Sequence, residues 1–311
     1  MVARSPRRAA RAAALVILSA TAACTKTGAA PDASAVASAP GAAAFQLGVD
    51  QALAPLGIAE YLEIAFENRG TSRVDLHYAR SADLVDQALA GQHDLLLLAS
   101  EPDLQRLDRE GVATRVSTWA HEEVVFIGPG EDPLGAHGST TPALMLQNIS
   151  RSTYNLLKPD PRSAEGARYG EIWVKTKDAN ESNSFTASTL EGVELVKKAI
   201  ALKSFALVRR SALLLAAADG VRPARVYQDG KPDLVLRIRA VEIHPARTKR
   251  PRPTELHEFI IGTEGRAIVE RFGADRFGYP VYAPGEPPEG EGARVPGLQA
   301  QGAPDAPAPK P

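Results

Sequence analysis

The chain has 311 residues and carries 36 Lys and Arg against 37 Asp and Glu, with a single cysteine. This near-balance of charge excludes the strongly basic surface that a nucleic-acid partner requires. One cysteine excludes an internal disulfide framework, so the fold must rest on its apolar core.

The N-terminus begins with a basic segment, Arg4, Arg7, Arg8 and Arg11, followed by an apolar run from Ala12 to Ala20 and the small residues Thr21-Ala22-Ala23. That order is the pattern of a secretory signal, residues 1–23. The apolar run is too short to span a bilayer, and no later segment approaches the roughly 18 apolar residues a spanning helix needs. Cys24, immediately after the small residues, resembles the lipobox cysteine of bacterial lipoproteins, although Thr21 stands where that motif usually has Leu. The resemblance implies acylation of Cys24 and an exported protein held at the periplasmic or cell-surface face of a membrane. The alternative is an ordinary signal peptide with an incidental cysteine. Residues 24–44, small and polar with two prolines, read as a flexible stalk. A coil of that length has a root-mean-square reach of roughly 25 Å.

Phe45 to Val49 reads as a buried strand, and Ile58, Tyr61, Leu62, Ala65 and Phe66 follow helical spacing up to Gly70. Val74, Leu76 and Tyr78 alternate with polar residues as in a strand. Ser81 is expected to cap a helix ending at Gly91. Leu95 to Ala99 is continuously apolar, the mark of a strand covered on both faces. Ser100 to Arg109 reads as a capped helix and Val124 to Ile127 as a strand, closed by Gly128-Pro129-Gly130. Beyond that break, helices are expected over 142–149, 163–174, 189–201 and 211–218, with strands over 205–208 and 237–243. Thr254 to Phe272 reads as a helix broken near Gly262 to Gly265. Strand–helix alternation of this kind predicts an α/β protein with mostly parallel sheets and helices on both faces. Two lobes are expected, 45–127 plus 238–283 and 128–237, joined by two crossovers. Residues 284–311, dense in Pro and Gly, read as a disordered tail.

Several segments in this order resemble the tungstate-binding type of periplasmic substrate-binding protein, a two-lobed family serving ABC importers. Asp94 to Pro102 (DLLLLASEP) is similar to the family's strand and turn "D-x-L-L-x-H-A-P", and Glu122 to Pro129 (EEVVFIGP) to its crossover strand "N-D-F-V-I-V-G-P". Phe205 to Arg210 (FALVRR) resembles "Y-T-L-T-D-R". Leu256 to Gly265 resembles the closing helix pair "F-I-D-W-L-T-S-P-E-G", and Phe277 to Tyr282 (FGYPVY) resembles "F-G-Q-P-L-F-F". The resemblance covers most of residues 47–283 and implies a type II periplasmic-binding-protein fold. It also implies solute capture between the lobes, presentation to an ABC permease, and no chemistry on the solute.

The family's ligand shell is altered here. Its hydroxyl run "T-T-T-S" falls on Val49-Asp50-Gln51-Ala52, the hydroxyl of "V-G-T-G" falls on Arg80, and the arginine of "S-R-G-D-x-S-G-T-H" falls on Pro159. Of "T-D-R" only Arg210 matches. Candidate ligand contacts are therefore Asp50, Gln51, Arg80, Ser81, Arg162, Ser163 and Arg210. Arg80-Ser81 and Arg162-Ser163 each stand before an expected helix, where backbone N–H groups and the dipole favour anions and a guanidinium adds paired donors. Each has a plain structural alternative: Asp50 as a turn cap, Ser81 as a helix cap, the arginines as solvated loop residues. Arg209 is read as lining the cleft or as half of an exposed basic pair. His121-Glu122-Glu123 and His257-Glu258 read as surface residues.

The six histidines are scattered, and no zinc-protease, nucleophile-elbow or P-loop motif is present, so no metal, cofactor or catalytic residue is expected. The expected function is capture of a small anion for an ABC importer by a monomeric lipoprotein. The alternative is a scaffold that no longer carries solute and acts in envelope interaction or sensing.

Overall fold

The computed structural model describes residues 44–70, 72–131, 141–176, 185–222, 225–228 and 231–287. The expected signal peptide, Cys24 and residues 24–43 of the expected stalk lie outside the described residues, as does the expected tail from 288 onward. All described residues belong to the unit Ala42–Pro311.

In chain order, β1 (Phe45–Asp50) leads through a 3-10 turn (Gln51–Leu53) into α1 (Ile58–Glu67), and then come β2 (Val74–Ala79), α2 (Ser81–Leu89), β3 (Leu95–Leu98) and α3 (Glu101–Arg109). The long strand β4 (Ala113–Gly128) is followed by α4 (Pro142–Ser150), β5 (Leu156–Lys158), α5 (Ala164–Val174), β6 (Phe185–Ala187) and α6 (Gly192–Ala201). Next are β7 (Phe205–Arg209), α7 (Arg210–Ala218), β8 (Arg225–Gln228), a 3-10 turn (Pro232–Leu234) and β9 (Val235–Ile243). Four helices, α8 (Pro245–Thr248), α9 (Thr254–Ile261), α10 (Thr263–Arg271) and α11 (Ala274–Phe277), precede β10 (Ala283–Pro284).

The strands lie in the order β2-β1-β3-β9-β4-β7-β5-β6, with β8 and β10 also paired to β4. Parallel pairs occupy the two ends, β1 with β2 and β3, and β5 with β6 and β7. The centre is antiparallel, where β9 lies between β3 and β4, and β4 continues against β7. The α/β class expected from the alternation is present, and the parallel pairing, expected to dominate, is found at the two ends. The cause is β4: it pairs with β9 as far as Glu123 opposite Val235, then with β7 from Val124 opposite Arg209. One continuous strand thus crosses from one half of the sheet to the other.

Side-chain alternation explains the layers. Leu95 and Leu97 of β3 enter the largest core cluster, with Leu62, Phe66 and Phe259, while Leu96 and Leu98 pack on the other face with Leu84, Leu107 and Val241. In the second half, Phe205 and Leu207 of β7 face the large core, and Ala206 and Val208 face Leu195 and Leu213 from α6 and α7. An apolar run without alternation is what helices on both faces demand.

Three expectations are corrected. Ser81 is the first residue of α2 rather than its cap, and its hydroxyl donates to Asp50 Oδ2 at 2.8 Å. The helix expected from Thr189 starts at Gly192, because the Ser188 hydroxyl accepts the Leu190 N–H in a turn. The start of the expected tail is docked: Ala283 and Pro284 pair with His121 and Ala120, and the Gly285 N–H donates to the Trp119 carbonyl at 2.9 Å.

Candidate functional site

The carboxyl ends of β1, β5, β6 and β7 and the starts of α2, α5 and α7 bring charged side chains together, the usual location of a ligand crevice in an open α/β sheet. Arg209, the last residue of β7, is 1 % exposed and stands among three carboxylates. Its Nη1 donates to Glu122 Oε1 at 2.7 Å, its Nη2 to Asp50 Oδ2 at 3.3 Å, and its Nε lies 3.1 Å from Glu165 Oε1. Burial opposes the charge on Arg209, but the carboxylates of Glu165, Asp50 and Glu122 outweigh it and hold the guanidinium firmly protonated. Burial pushes the Glu122 carboxyl above the usual carboxylate range, against the pull of Arg209.

Neighbouring Arg210 opens α7 and forms a second buried pair, its Nε donating to Glu123 Oε2 at 2.9 Å. Antiparallel pairing of β4 with β7 explains both pairs. Glu122 and Glu123 immediately precede the apolar stretch of β4, and Arg209 and Arg210 immediately follow that of β7. Adjacent residues on a strand face opposite ways, so each arginine meets its own carboxylate.

A third group lies at the edge. Arg80 Nη1 is 3.0 Å from Asp160 Oδ2 and its Nε 3.4 Å from Glu191 Oε1. Gln51 Nε2 also donates to Glu191. Burial and the negative charges of Glu165 and Asp50 push the Glu191 carboxyl up. Arg162 pairs with Asp83 of α2, both half exposed, so the two loops exchange reciprocal ion pairs, Arg80 with Asp160 and Arg162 with Asp83.

The structure therefore brings Asp50, Gln51, Arg80, Ser81, Arg162, Ser163 and Arg210 to one side of the molecule, engaged with the chain itself. Asp50 is the turn cap it resembled, accepting the Ala52 N–H at 3.0 Å, and it also holds Ser81 and Arg209. Ser163 caps α5 through the Gly166 N–H at 3.1 Å and donates to the Asp160 carbonyl. Gly166 is required there, because a Cβ would lie 2.0 Å from the Asp160 carbonyl oxygen. The surface reading of His121, Glu122, Glu123 and His257 is corrected, since none is more than 3 % exposed. Glu122, Glu123, Asp160, Glu165 and Glu191 were not singled out as site residues. The signal for the first two was present, a Glu pair and an Arg pair at facing ends of two apolar strands.

Around the crevice five carboxylates (Asp50, Glu122, Asp160, Glu165, Glu191) face two guanidiniums (Arg80, Arg209), a formal excess of three negative charges, with the Arg210–Glu123 pair beside them. Buried Glu165 Oε2 has no hydrogen-bond partner, whereas the Ser211 side chain serves both Glu122 and Tyr282. Among the described residues no three His, Cys, Asp or Glu side chains could hold a metal ion. Two open pockets of about 330 and 290 Å³ lie elsewhere, one beside Gly128 and Lys203, the other beside Arg69 and Glu258.

Residues 58–275 match the family of bacterial extracellular solute-binding proteins. No curated protein sequence matches the chain. Among solved structures it is similar to a tungstate-binding protein from Desulfovibrio alaskensis G20, with TM-score 0.67 and 15 % identity over 79 % of this chain and 100 % of that one. It is also similar to the tungstate ABC transporter structure from Geobacter sulfurreducens, with TM-score 0.63 and 14 % identity over 72 % and 96 %. At such identity the likeness concerns the fold, the two-lobed type II periplasmic-binding-protein fold. The chain belongs to the bacterial extracellular solute-binding proteins.

Proposed function

We propose that this solute-binding protein is exported, tethered through Cys24, and captures a small solute in the charged crevice between its two lobes for delivery to an ABC importer. The observation that carries the reading is the set of ion pairs that draws the ends of β1, β2 and β7 and the starts of α2, α5 and α7 together, in a chain of this family. The lobes in this reading are 45–127 with 238–283 and 128–237, bounds that fall within a few residues of the point where β4 changes partner from β9 to β7, between Glu123 and Val124. Capture shifts an open–closed equilibrium through differential affinity for the closed state. The small anion expected from the resemblance would meet Arg80 and Arg162 first, each of which already has a carboxylate partner.

A second reading, a scaffold that carries no solute, is favoured by the ion pairs that link the two sides directly, Arg209 with Asp50 and Arg80 with Asp160. Native mass spectrometry of protein purified from its own membrane separates the two readings. A single small molecule that leaves on denaturation supports solute capture. A bare mass, with no thermal stabilisation by any small solute, leaves only the scaffold. The tether has its own test: Cys24→Ser is expected to move the protein from the membrane to the soluble fraction, and continued retention would remove Cys24 as the anchor.

A further inference from the structure

We propose that the crevice selects a solute bearing a positively charged N–H donor, an ammonium or guanidinium group, and turns away fully ionised oxyanions. The inference rests on the solute-capture reading and names the charge of the solute.

Three observations carry it. First, an oxyanion needs donors that are free to turn toward it, and the guanidiniums here are engaged: Arg209 by Asp50, Glu122 and Glu165, Arg210 by Glu123, Arg80 by Asp160 and Glu191. A dianion would have to displace a carboxylate while adding two negative charges to a crevice already in excess by three. Second, the unpartnered polar atoms at the site include a buried acceptor oxygen. Glu165 is 1 % exposed, and its Oε2 accepts no hydrogen bond. A buried carboxylate oxygen is satisfied by a donor, and most strongly by a charged one. Third, the site already displays the fit, because the group it encloses is a guanidinium whose Nη1, Nη2 and Nε lie within 3.3 Å of three different carboxylates. A hydroxyl shell suits a dehydrated oxyanion; a carboxylate shell suits a cation.

The raised carboxyl of Glu191, attributable after burial to Glu165 and Asp50, agrees with a negative field reaching the partly exposed edge where a solute arrives. Such a field also draws cations toward the crevice before contact.

The test uses the full-length protein, unfolded and refolded to strip any bound molecule, and follows thermal unfolding and calorimetric titration. One arm contains L-arginine, L-lysine and putrescine; the other contains tungstate, molybdate and phosphate. Stabilisation by at least one member of the first arm and by none of the second is expected. Glu165→Gln, which keeps shape and removes charge, is expected to weaken cation binding at least tenfold. Glu191→Gln, at the partly exposed edge, gives the same readout if the buried variant does not fold. Stabilisation by any oxyanion overturns the inference and leaves solute capture standing. Cation binding unchanged by both variants places that solute elsewhere and also overturns it. No stabilisation in either arm overturns the inference together with the solute-capture reading.

Discussion

Arg209 shares one guanidinium among Asp50, Glu122 and Glu165 in a region closed to solvent. Removing one partner of a buried ionic group leaves charges that neither water nor protein compensates, at a cost of about 3–5 kcal/mol. Arg209→Met, which fills similar volume, is therefore expected to destabilise the protein by that amount at pH 7 and by less at pH 5, because burial already raises the Glu122 carboxyl and the variant removes the arginine that opposes it. Arg80 makes an instructive contrast. Its side chain is 32 % exposed, and ion pairs at such positions contribute about 0–1 kcal/mol, so Arg80→Ala is expected to cost under about 1 kcal/mol. Urea unfolding of both variants checks the ranking, and equal costs would contradict the buried cluster. At this scale the sequence was only partly legible. Asp50 as a turn cap followed from its place after a strand, and the importance of Arg80 from its place before a helix. The partners could not be read, because Glu165 and Glu191 reach Arg209 and Arg80 only through tertiary packing. The adjacent Glu122 and Glu123 resemble surface residues until β7 is laid beside β4.

Periodicity served best where an element is covered on both faces or on one face alone. The all-apolar β3 and the spaced Leu62 and Phe66 of α1 were recognisable because burial leaves its mark on every residue or every turn. Strand β4 was recognised only in its last third. Residues 113–117 alternate between half-buried and exposed, and residues 119–127 are all buried, so one strand carries two patterns. The change follows from its neighbours: along β9 the first part lies where one face meets solvent, and the later part is enclosed by the crevice and by β7. Strand direction had the same limit. Alternation of strands and helices implies parallel pairing only while the chain stays within one half of the sheet. Both β4 and β9 serve the crossing between halves, and both run antiparallel to their neighbours. Local pattern specifies the element, and the route of the chain specifies its direction.

For the molecule as a whole, acidity is the condition an exported protein meets directly, and three buried histidines make it consequential. Burial, followed by the positive neighbours His77 and Arg250, lowers His93 to about 4. Burial likewise lowers His121, although the Gly285 carbonyl opposes it, and lowers His257, although Glu242 opposes it. A base whose folded pKa lies below its unfolded value binds fewer protons in the native state. Its contribution to stability is complete above the unfolded value of 6.5 and is lost as the pH falls toward the folded value. The raised carboxyls of Glu122 and Glu191 act in the opposite direction, favouring the fold as they protonate. A simple comparison of stability at two pH values would therefore mix opposing signs. The contribution of His93 is isolated by a difference of differences between the wild type and His93→Gln, whose amide can still donate to Gln87, the partner of His93 Nε2 at 2.8 Å. Between pH 7 and pH 4.5 the wild type is expected to lose about 2 kcal/mol more than the variant, as measured by urea unfolding at each pH. Equal losses would mean that His93 titrates in the native state as it does in the unfolded chain, and that its enclosure beneath β1 and α2 does not keep the ring neutral.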